Sequence, residues 1–258
     1  MKDNNITVLI QTYNEEKNVE ACIESLKGLT DDVIVVDSES TDNTVSVTQK
    51  LGVKIFTVPH VDYVEPAREF GIKKTESEWV FILDADERMT PELAQEIKKS
   101  LSADYSFYRV PRKEIVGKIK WLRHGGWWPN YQIRLIRIRD FVEWPTAIHS
   151  TPVIKGKIGQ LIHPLLHYSQ NDFESIVKKT IIFEDQESEL LYKAGRTVST
   201  LTFFRKFLGE LHRRLIKHMG FLDGEIGIIE SIYQAFSKTV TYIYLYEKRA
   251  KKVAGGSL

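Results

Sequence analysis

Trp79-Val80-Phe81-Ile82-Leu83-Asp84-Ala85-Asp86-Glu87 is the stretch on which the fold turns. Five apolar residues run without a polar break and end abruptly at a cluster of carboxylates. The apolar run reads as a buried strand. Asp84 and Asp86 stand two apart, so a turn of the chain between them can bring both toward one hard cation. Oxygen ligands suit Mg²⁺ or Mn²⁺, and a phosphate-bearing substrate can complete the shell. The competing reading is a hydrated turn in which Asp is a turn former and Glu87 pairs with Arg88. A preceding strand within an α/β pattern favours the metal site.

Outward from this stretch, the first hundred residues alternate between two periods. Residues 6–10 read as a buried strand, after which Val19, Cys22, Ile23 and Leu26 form a helical stripe. A second strand at 33–36 enters the polar turn 37–42. A helix carrying Val45 and Thr48 stops near Gly52, and 53–58 is a third strand. Next comes a segment with Arg68, Lys73 and Lys74, then the fourth strand. Thr90 can cap the following helix, with Pro91 at its first position and Leu93, Ile97 and Leu101 on one face. Such alternation predicts an α/β fold: a mostly parallel sheet flanked by helices, with ligands beyond the carboxyl ends of the strands. No GxGxxG follows the first strand and no GxxxxGK[ST] occurs, so dinucleotide dehydrogenases and P-loop enzymes lose their usual support.

The polar residues at those strand ends are the candidate site. Asp37 can accept from a base N–H or a ribose hydroxyl, or serve a cap or Asx-turn within 37–42. Thr12, Tyr13, Asn14 and Glu15 follow the first strand, where a helix start offers free N–H groups to an anion. Arg68 and Lys73 could neutralise phosphate or be surface cations. His167 stands at a strand-like end as a third metal or phosphate contact, whereas His163, before Pro164, reads as structural.

From 104 to about 168 the loops lengthen and fill with Trp, Arg and Gly. The densest run is Trp121-Leu122-Arg123-His124-Gly125-Gly126-Trp127-Trp128-Pro129. It packs either over a ligand or on the protein's own core. The sequence thus predicts a catalytic domain over 1–170, with a nucleotide-binding half at 1–103 and an acceptor half at 104–170. A helical region over 171–258 follows. In it Leu201, Phe204, Leu208, Leu211 and Leu215 make one stripe and Ile229, Ile232, Phe236, Val240 and Ile243 another. Arg205, Lys206, Arg213, Arg214 and Lys217 crowd the middle helix beside one acidic residue, Glu210. Two uses compete: packing on the core or on another subunit of a homo-oligomer, or resting on an anionic membrane.

Composition sets the outer bounds. Of 258 residues 42% are hydrophobic and 28% charged, which excludes a disordered or collagen-like chain. Lysine and arginine (36) nearly balance aspartate and glutamate (35), so no nucleic-acid partner is expected. Cys22, the single cysteine, reads as core. Residues 1–11 lack the pattern of a secretory signal and no apolar run approaches a membrane span. A cytoplasmic location is expected, with peripheral contact on the inner face of the cytoplasmic membrane as the further option.

Three motifs together resemble the family 2 glycosyltransferases of GT-A fold: Thr12-Tyr13-Asn14-Glu15-Glu16, Val35-Val36-Asp37-Ser38-Glu39-Ser40-Thr41-Asp42-Asn43-Thr44 and Leu83-Asp84-Ala85-Asp86-Glu87. The resemblance implies inverting transfer of a sugar from a nucleotide-sugar, most specifically UDP-glucose. By it, Asp37 would contact uracil or ribose, Thr12 and Glu15 would line the nucleotide pocket, and Asp86, supported by Asp84, would hold the metal. Arg68 with Glu69-Phe70-Gly71, the 123–129 run, Gln132-Ile133-Arg134-Leu135, Ala147-Ile148-His149, Leu166-His167-Tyr168-Ser169 and Asp223-Gly224 are similar to the branch that puts glucose on the inner-core heptose of lipopolysaccharide or lipooligosaccharide. That likeness implies a saccharide or lipid-linked saccharide acceptor, met by Arg123, His124, Gly125, Gly126, Trp127, Trp128 and His149. The branch commonly has acidic residues where this chain has Asn130 and Ser150. Those positions keep a sugar-nucleotide-binding scaffold without a base as an alternative, and the α/β sheet with its acidic metal site leaves a nucleotidyltransferase as another. An inverting transfer needs a carboxylate to take the acceptor's proton; Glu143, in the block before His149, is the candidate, with Glu87 the alternative.

Overall fold

The computed structural model describes residues 5–61, 63–117, 120–145, 150–168 and 173–255. Its chain divides into two compact units, Met1–Lys113 with Asn130–His167, and Glu114–Pro129 with Tyr168–Leu258. The aromatic-rich segment that the sequence assigns to the acceptor half of 1–170 thus groups with the C-terminal helices.

The first unit opens with β1 (Ile6–Thr12), α1 (Val19–Glu24), β2 (Val33–Asp37), α2 (Thr44–Lys50), β3 (Lys54–Thr57), α3 (Glu65–Lys73) and β4 (Trp79–Asp84). β1 pairs in parallel with β2 and β4, setting Ile10 beside Val35 and Leu83, and β2 pairs in parallel with β3. Every residue of β1 is buried, as befits a strand in a parallel sheet covered on both faces. Val8, Ile10, Val35, Phe81 and Leu83 enter one core with Cys22, Leu26, Leu93 and Ile97. Leu9, Ile34, Val36, Val80 and Ile82, on alternate positions, enter the other with Ala67 and Ile72. Burial pushes the Cys22 thiol up, which fits its place in the core.

Helix α3 is the element that the sequence leaves as a cation-bearing segment. Its buried face is Ala67, Gly71 and Ile72, too small to print a long apolar stripe. Gly71 permits a close approach to β1: a Cβ there would lie 2.3 Å from a δ-carbon of the fully buried Leu9.

After β4 come β5 (Glu87–Arg88) and α4 (Pro91–Ser100). Thr90 Oγ1 accepts from the Leu93 N–H at 3.2 Å, the cap that the sequence predicts. The chain continues through β6 (Phe107–Val116), β7 (Lys120–Trp121), β8 (Asn130–Arg137), β9 (Phe141–Glu143), β10 (Val153–Ile154), β11 (Ile158–Gln160) and β12 (Leu165–His167). The strand order is β3-β2-β1-β4-β8-β6-β12-β5. β8 joins β4 antiparallel, and β6 joins β8 antiparallel. The sheet is therefore mixed: β1 to β4 run parallel, and β8 joins both β4 and β6 antiparallel.

In the second unit α5 (Phe173–Lys193), α6 (Thr200–Leu211) and α7 (Gly224–Gly255) pack together, α7 against both others. The stripe that the sequence runs through Leu215 is broken: α6 gives way to a π-helical segment, His212–Lys217, and a 3-10 turn, Gly220–Asp223. Polarity in this bundle is largely inverted. On α7, Glu230, Ser231, Ser237 and Thr241 are buried beside Tyr233, Ala235, Tyr242 and Leu245, while Ile229, Ile232, Phe236 and Ile243 face solvent. Glu184 on α5 accepts from Ser237 Oγ at 2.5 Å and from Thr241 Oγ1. α6 meets α7 through Phe203 on Tyr246 and Lys206 over Tyr242, which leaves Leu201, Phe204 and Leu208 outside. Among the described residues no helix is long and apolar enough to cross a membrane.

Candidate functional site

The carboxyl ends of β1 and β2 are laced together by short hydrogen bonds. Asp37 is fully buried, its Oδ1 accepting from Thr12 Oγ1 at 2.8 Å and from Ser40 Oγ at 2.6 Å, its Oδ2 from the Ser40 N–H at 2.8 Å. That carboxylate is an Asx-turn anchor for the 38–44 loop, the alternative the sequence held open. Asn14, at φ 55°, turns its Oδ1 to the Thr41 N–H at 2.8 Å. Glu15 donates its N–H to Thr44 Oγ1 at 2.7 Å, and its side chain accepts from Asn18 Nδ2 at 2.7 Å. Tyr13 is exposed and stacks on His60, ring centroids 3.7 Å apart and planes 19° from parallel. His60 follows β3, and its N–H donates to Glu39 Oε2 at 3.1 Å. The carboxyl-end rule applied to the third strand would have found it.

The acidic motif is organised by a pairing that no local pattern reveals. β12 runs antiparallel to β5 with His167 opposite Glu87, which carries the imidazole to the neighbouring aspartate: His167 Nε2 lies 3.2 Å from Asp86 Oδ2. Asp84 is held otherwise. Its Oδ1 accepts from Arg68 Nη2 at 2.8 Å and its Oδ2 from Arg134 Nη2 at 2.6 Å. Burial alone would raise this carboxyl, but the guanidinium groups of Arg134 and Arg68 outweigh it and hold Asp84 well below the usual carboxylate range. Arg68 is also braced by Trp144, whose ring lies 5.1 Å from its guanidinium carbon, and by Gln11.

Glu87 requires a correction. It is wholly buried, paired with Arg134 at 2.6 Å and Arg112 at 3.6 Å, and its Oε2 accepts the Asp84 N–H at 3.0 Å. Burial pushes its carboxyl up, against the pull of Arg134. A carboxylate so enclosed holds the motif's turn and is out of reach of an acceptor hydroxyl. Arg134, for which the sequence offers no role, is the buried cation that ties Asp84 to Glu87. The signal available was an arginine amid the apolar β8 run. Lys73 pairs with Glu69 one helical turn earlier at 2.6 Å and stays largely exposed, the surface-cation alternative. Glu143 is exposed on β9, next in the chain to Trp144.

Donor chemistry at the motif fits a hard or borderline divalent cation. Asp86 and His167 offer carboxylate oxygen and imidazole nitrogen within one hydrogen-bond length. Among the described residues no group of three or more His, Cys, Asp or Glu is placed to hold a metal ion by itself.

In the second unit the 123–129 run is clasped by residues distant in sequence. Asp223 Oδ2 accepts the N–H groups of Arg123 at 2.9 Å and His124 at 2.7 Å, and its Oδ1 lies 3.0 Å from His124 Nδ1. The Gly125 N–H donates to the His218 carbonyl at 2.8 Å, and Arg214 lies over Trp127 while donating to the Gly125 carbonyl. Gly125 and Gly126 both have φ above +60°, a turn suited to glycine. Trp121 and Trp128 meet edge to face, Arg123 covers Trp121, and Trp127 and Trp128 remain half-buried. This loop is packed on its own unit. His149 lies outside the described residues.

Comparison with known proteins places this geometry. Two rickettsial proteins, each named only as an uncharacterised glycosyltransferase, match along nearly their whole length. The one from Rickettsia conorii is 28% identical over 260 residues, covering 95% of this chain and 91% of the relative. That of Rickettsia typhi is 29% identical, covering 95% and 88%. Among solved structures, Staphylococcus aureus TarS (residues 1–349, with UDP) superposes with TM-score 0.51 at 14% identity, covering 96% of this chain and 92% of that one. Glucosyl-3-phosphoglycerate synthase of Mycobacterium tuberculosis, solved with Mn²⁺, UDP and glucosyl-3-phosphoglycerate, gives 0.51 at 17% identity, covering 76% and 82%. At such identities the likeness is one of fold: a GT-A-like α/β fold with a curled mixed sheet and a C-terminal helical extension. Residues 7–158, more than half the chain and all of the strand-end motifs except His167, match the model described as Glycosyl transferase family 2; the chain belongs to that family.

Proposed function

We propose that this family 2 glycosyltransferase moves a hexose with inversion from a UDP-sugar to a saccharide acceptor, with Mg²⁺ or Mn²⁺ held at Asp86 and His167. The observation that carries it is the 3.2 Å approach of His167 to Asp86. The pairing of β12 with β5 sets an imidazole beside the second aspartate, a donor pair that suits a divalent cation. UDP in the TarS structure, and UDP with Mn²⁺ in the mycobacterial synthase, support the donor and the cation. When bound, the cation would offset the negative charge that grows on the departing UDP.

The chain's own residues do the rest. Tyr13 and His60 offer an aromatic platform to the base, and Asp37 and Thr12 hold the loop around it. Arg68, braced by Asp84 and Trp144, presents fixed positive charge to phosphate. As the acceptor oxygen bonds to the anomeric carbon and the bond to UDP breaks, a carboxylate must take the hydroxyl proton. Glu143 fills that part: it is exposed and adjoins the tryptophan that packs on Arg68. The most specific form of the proposal is glucose transferred to a lipopolysaccharide core heptose, which rests on the sequence blocks around 123–129, 132–135 and 166–169.

The test is Mn²⁺ binding followed by electron paramagnetic resonance with and without UDP, beside turnover of UDP-, GDP- and dTDP-sugars. UDP should tighten Mn²⁺ binding, and UDP-glucose should be the best donor. Asp86→Asn should weaken both Mn²⁺ binding and turnover by about a hundredfold, the several kcal/mol a catalytic cation supplies. Unchanged Mn²⁺ binding and turnover in Asp86→Asn would overturn the assignment.

A further inference from the structure

Between the end of α5, the start of α6 and the middle of α7 lies a cavity of about 450 Å³, lined by Leu191, Arg196, Thr197, Thr202, Arg205, Lys206 and Tyr242. Three cations and the hydroxyl-bearing Thr197, Thr202 and Tyr242 line it, and no carboxylate does. Among the described residues none of Arg196, Arg205 and Lys206 has an ion-pair partner, whereas Arg213 and Arg214 share Glu210 and Lys248 takes Asp185 and Glu189. Arginine and threonine donors at the start of a twelve-residue helix suit an oxyanion of phosphate type.

Large apolar side chains stand exposed on the same helices. Leu201, Arg205 and Leu208 share one face of α6 at i, i+4 and i+7 spacing. Leu201 is 72% exposed, Phe204 63% and Leu208 58%. Phe221 and Leu222 beyond the π-helical segment are exposed too, as are Ile229, Ile232 and Phe236 on α7. Polar groups meanwhile fill much of the interior, with Glu184 taking Ser237 and Thr241. An exposed apolar surface of this kind marks an interaction site.

We propose that the second unit is a membrane-docking module: the Arg196, Arg205 and Lys206 cavity takes the phosphate of an anionic lipid headgroup while Leu201, Phe204 and Leu208 enter the headgroup layer. Charge decides between a bilayer and a second copy of this chain. Arg196, Arg205 and Lys206 gather there with no carboxylate among the lining residues, so a twofold-symmetric contact through this face would set like charges on one another. An anionic leaflet complements them. The inference stands apart from the transfer reading, since it needs neither donor nor cation.

The experiment is co-sedimentation of the full chain with phosphatidylcholine vesicles, with or without about one-third phosphatidylglycerol, at low and high salt, and with glycerol phosphate as soluble competitor. Binding should require the anionic lipid and fall with salt. Arg205→Glu with Lys206→Glu should weaken it by at least about tenfold, as about 1 kcal/mol per basic residue implies. Phe204→Ser with Leu208→Ser should weaken it to a similar degree, with circular dichroism unchanged in both. Asp86→Asn should bind vesicles as the parent does, which separates this result from the fate of the catalytic reading. Equal binding to neutral vesicles would overturn the headgroup site. Binding of glycerol phosphate without any vesicle binding would assign the cavity to a soluble anion and overturn the docking. So would a concentration-dependent dimer that masks the α6 face and leaves vesicles unbound.

Discussion

The two units place their large apolar side chains differently. In the first, Val8, Leu9, Ile10, Phe81 and Leu83 are wholly inside and the polar residues gather at strand ends. In the second, Glu230, Ser231, Ser237 and Thr241 are inside α7 while Ile229, Ile232 and Phe236 are out. Burial of apolar area is the main force that folds a chain in water. A unit that leaves large apolar side chains exposed forgoes part of it and relies on paired hydrogen bonds such as those of Glu184. One chain can thus hold an apolar core in one unit and leave a series of large apolar side chains exposed in the other. The difference also shows that a helical stripe in a sequence says two helix faces differ without saying which face is turned inward.

Substitutions can break or sharpen this contrast. Phe81→Ala, at the centre of the first core, should lower stability by about 3–5 kcal/mol in urea unfolding. Arg134→Met should cost about 3–5 kcal/mol, because the buried carboxyls of Asp84 and Glu87 would lose the cation that they share; a neutral or stabilising result would show that this buried triad is dispensable to the fold. Glu184→Ala should cost about 1–3 kcal/mol by leaving the hydroxyls of Ser237 and Thr241 without an acceptor. Were Glu184→Ala stabilising, the polar interior of the bundle would be no part of what holds it. The smallest effect belongs to Phe236→Ser, within about 0.5 kcal/mol in water, since the ring is already half exposed. A loss as large as that of Phe81→Ala would mean that α7 buries this face after all, and the inversion would fall.

The sequence by itself determined the parallel half of the sheet. Runs such as 79–83, five apolar residues bounded by polar ones, suit a strand covered on both sides, and Thr90 with Pro91 marks a helix start by local hydrogen bonding. Asp86 stood out for the same reason, as a carboxylate at the end of such a strand. Helix α3 escaped because its contact with β1 is made by absent atoms at Gly71, and absence leaves no periodic mark. The partners of the acidic motif were beyond sequence altogether. Asp84 and Glu87 look alike on the page, yet Arg134 and Arg68 claim the first while burial behind Arg134 and Arg112 closes off the second. His167 becomes a companion of Asp86 through the β5–β12 register, and Asp223 clasps His124 from a hundred residues away. Local propensity acts over a few residues and is written in their order. Charge pairing and burial depend on which distant segments the folded chain brings within a few ångströms, and that was decided only in three dimensions.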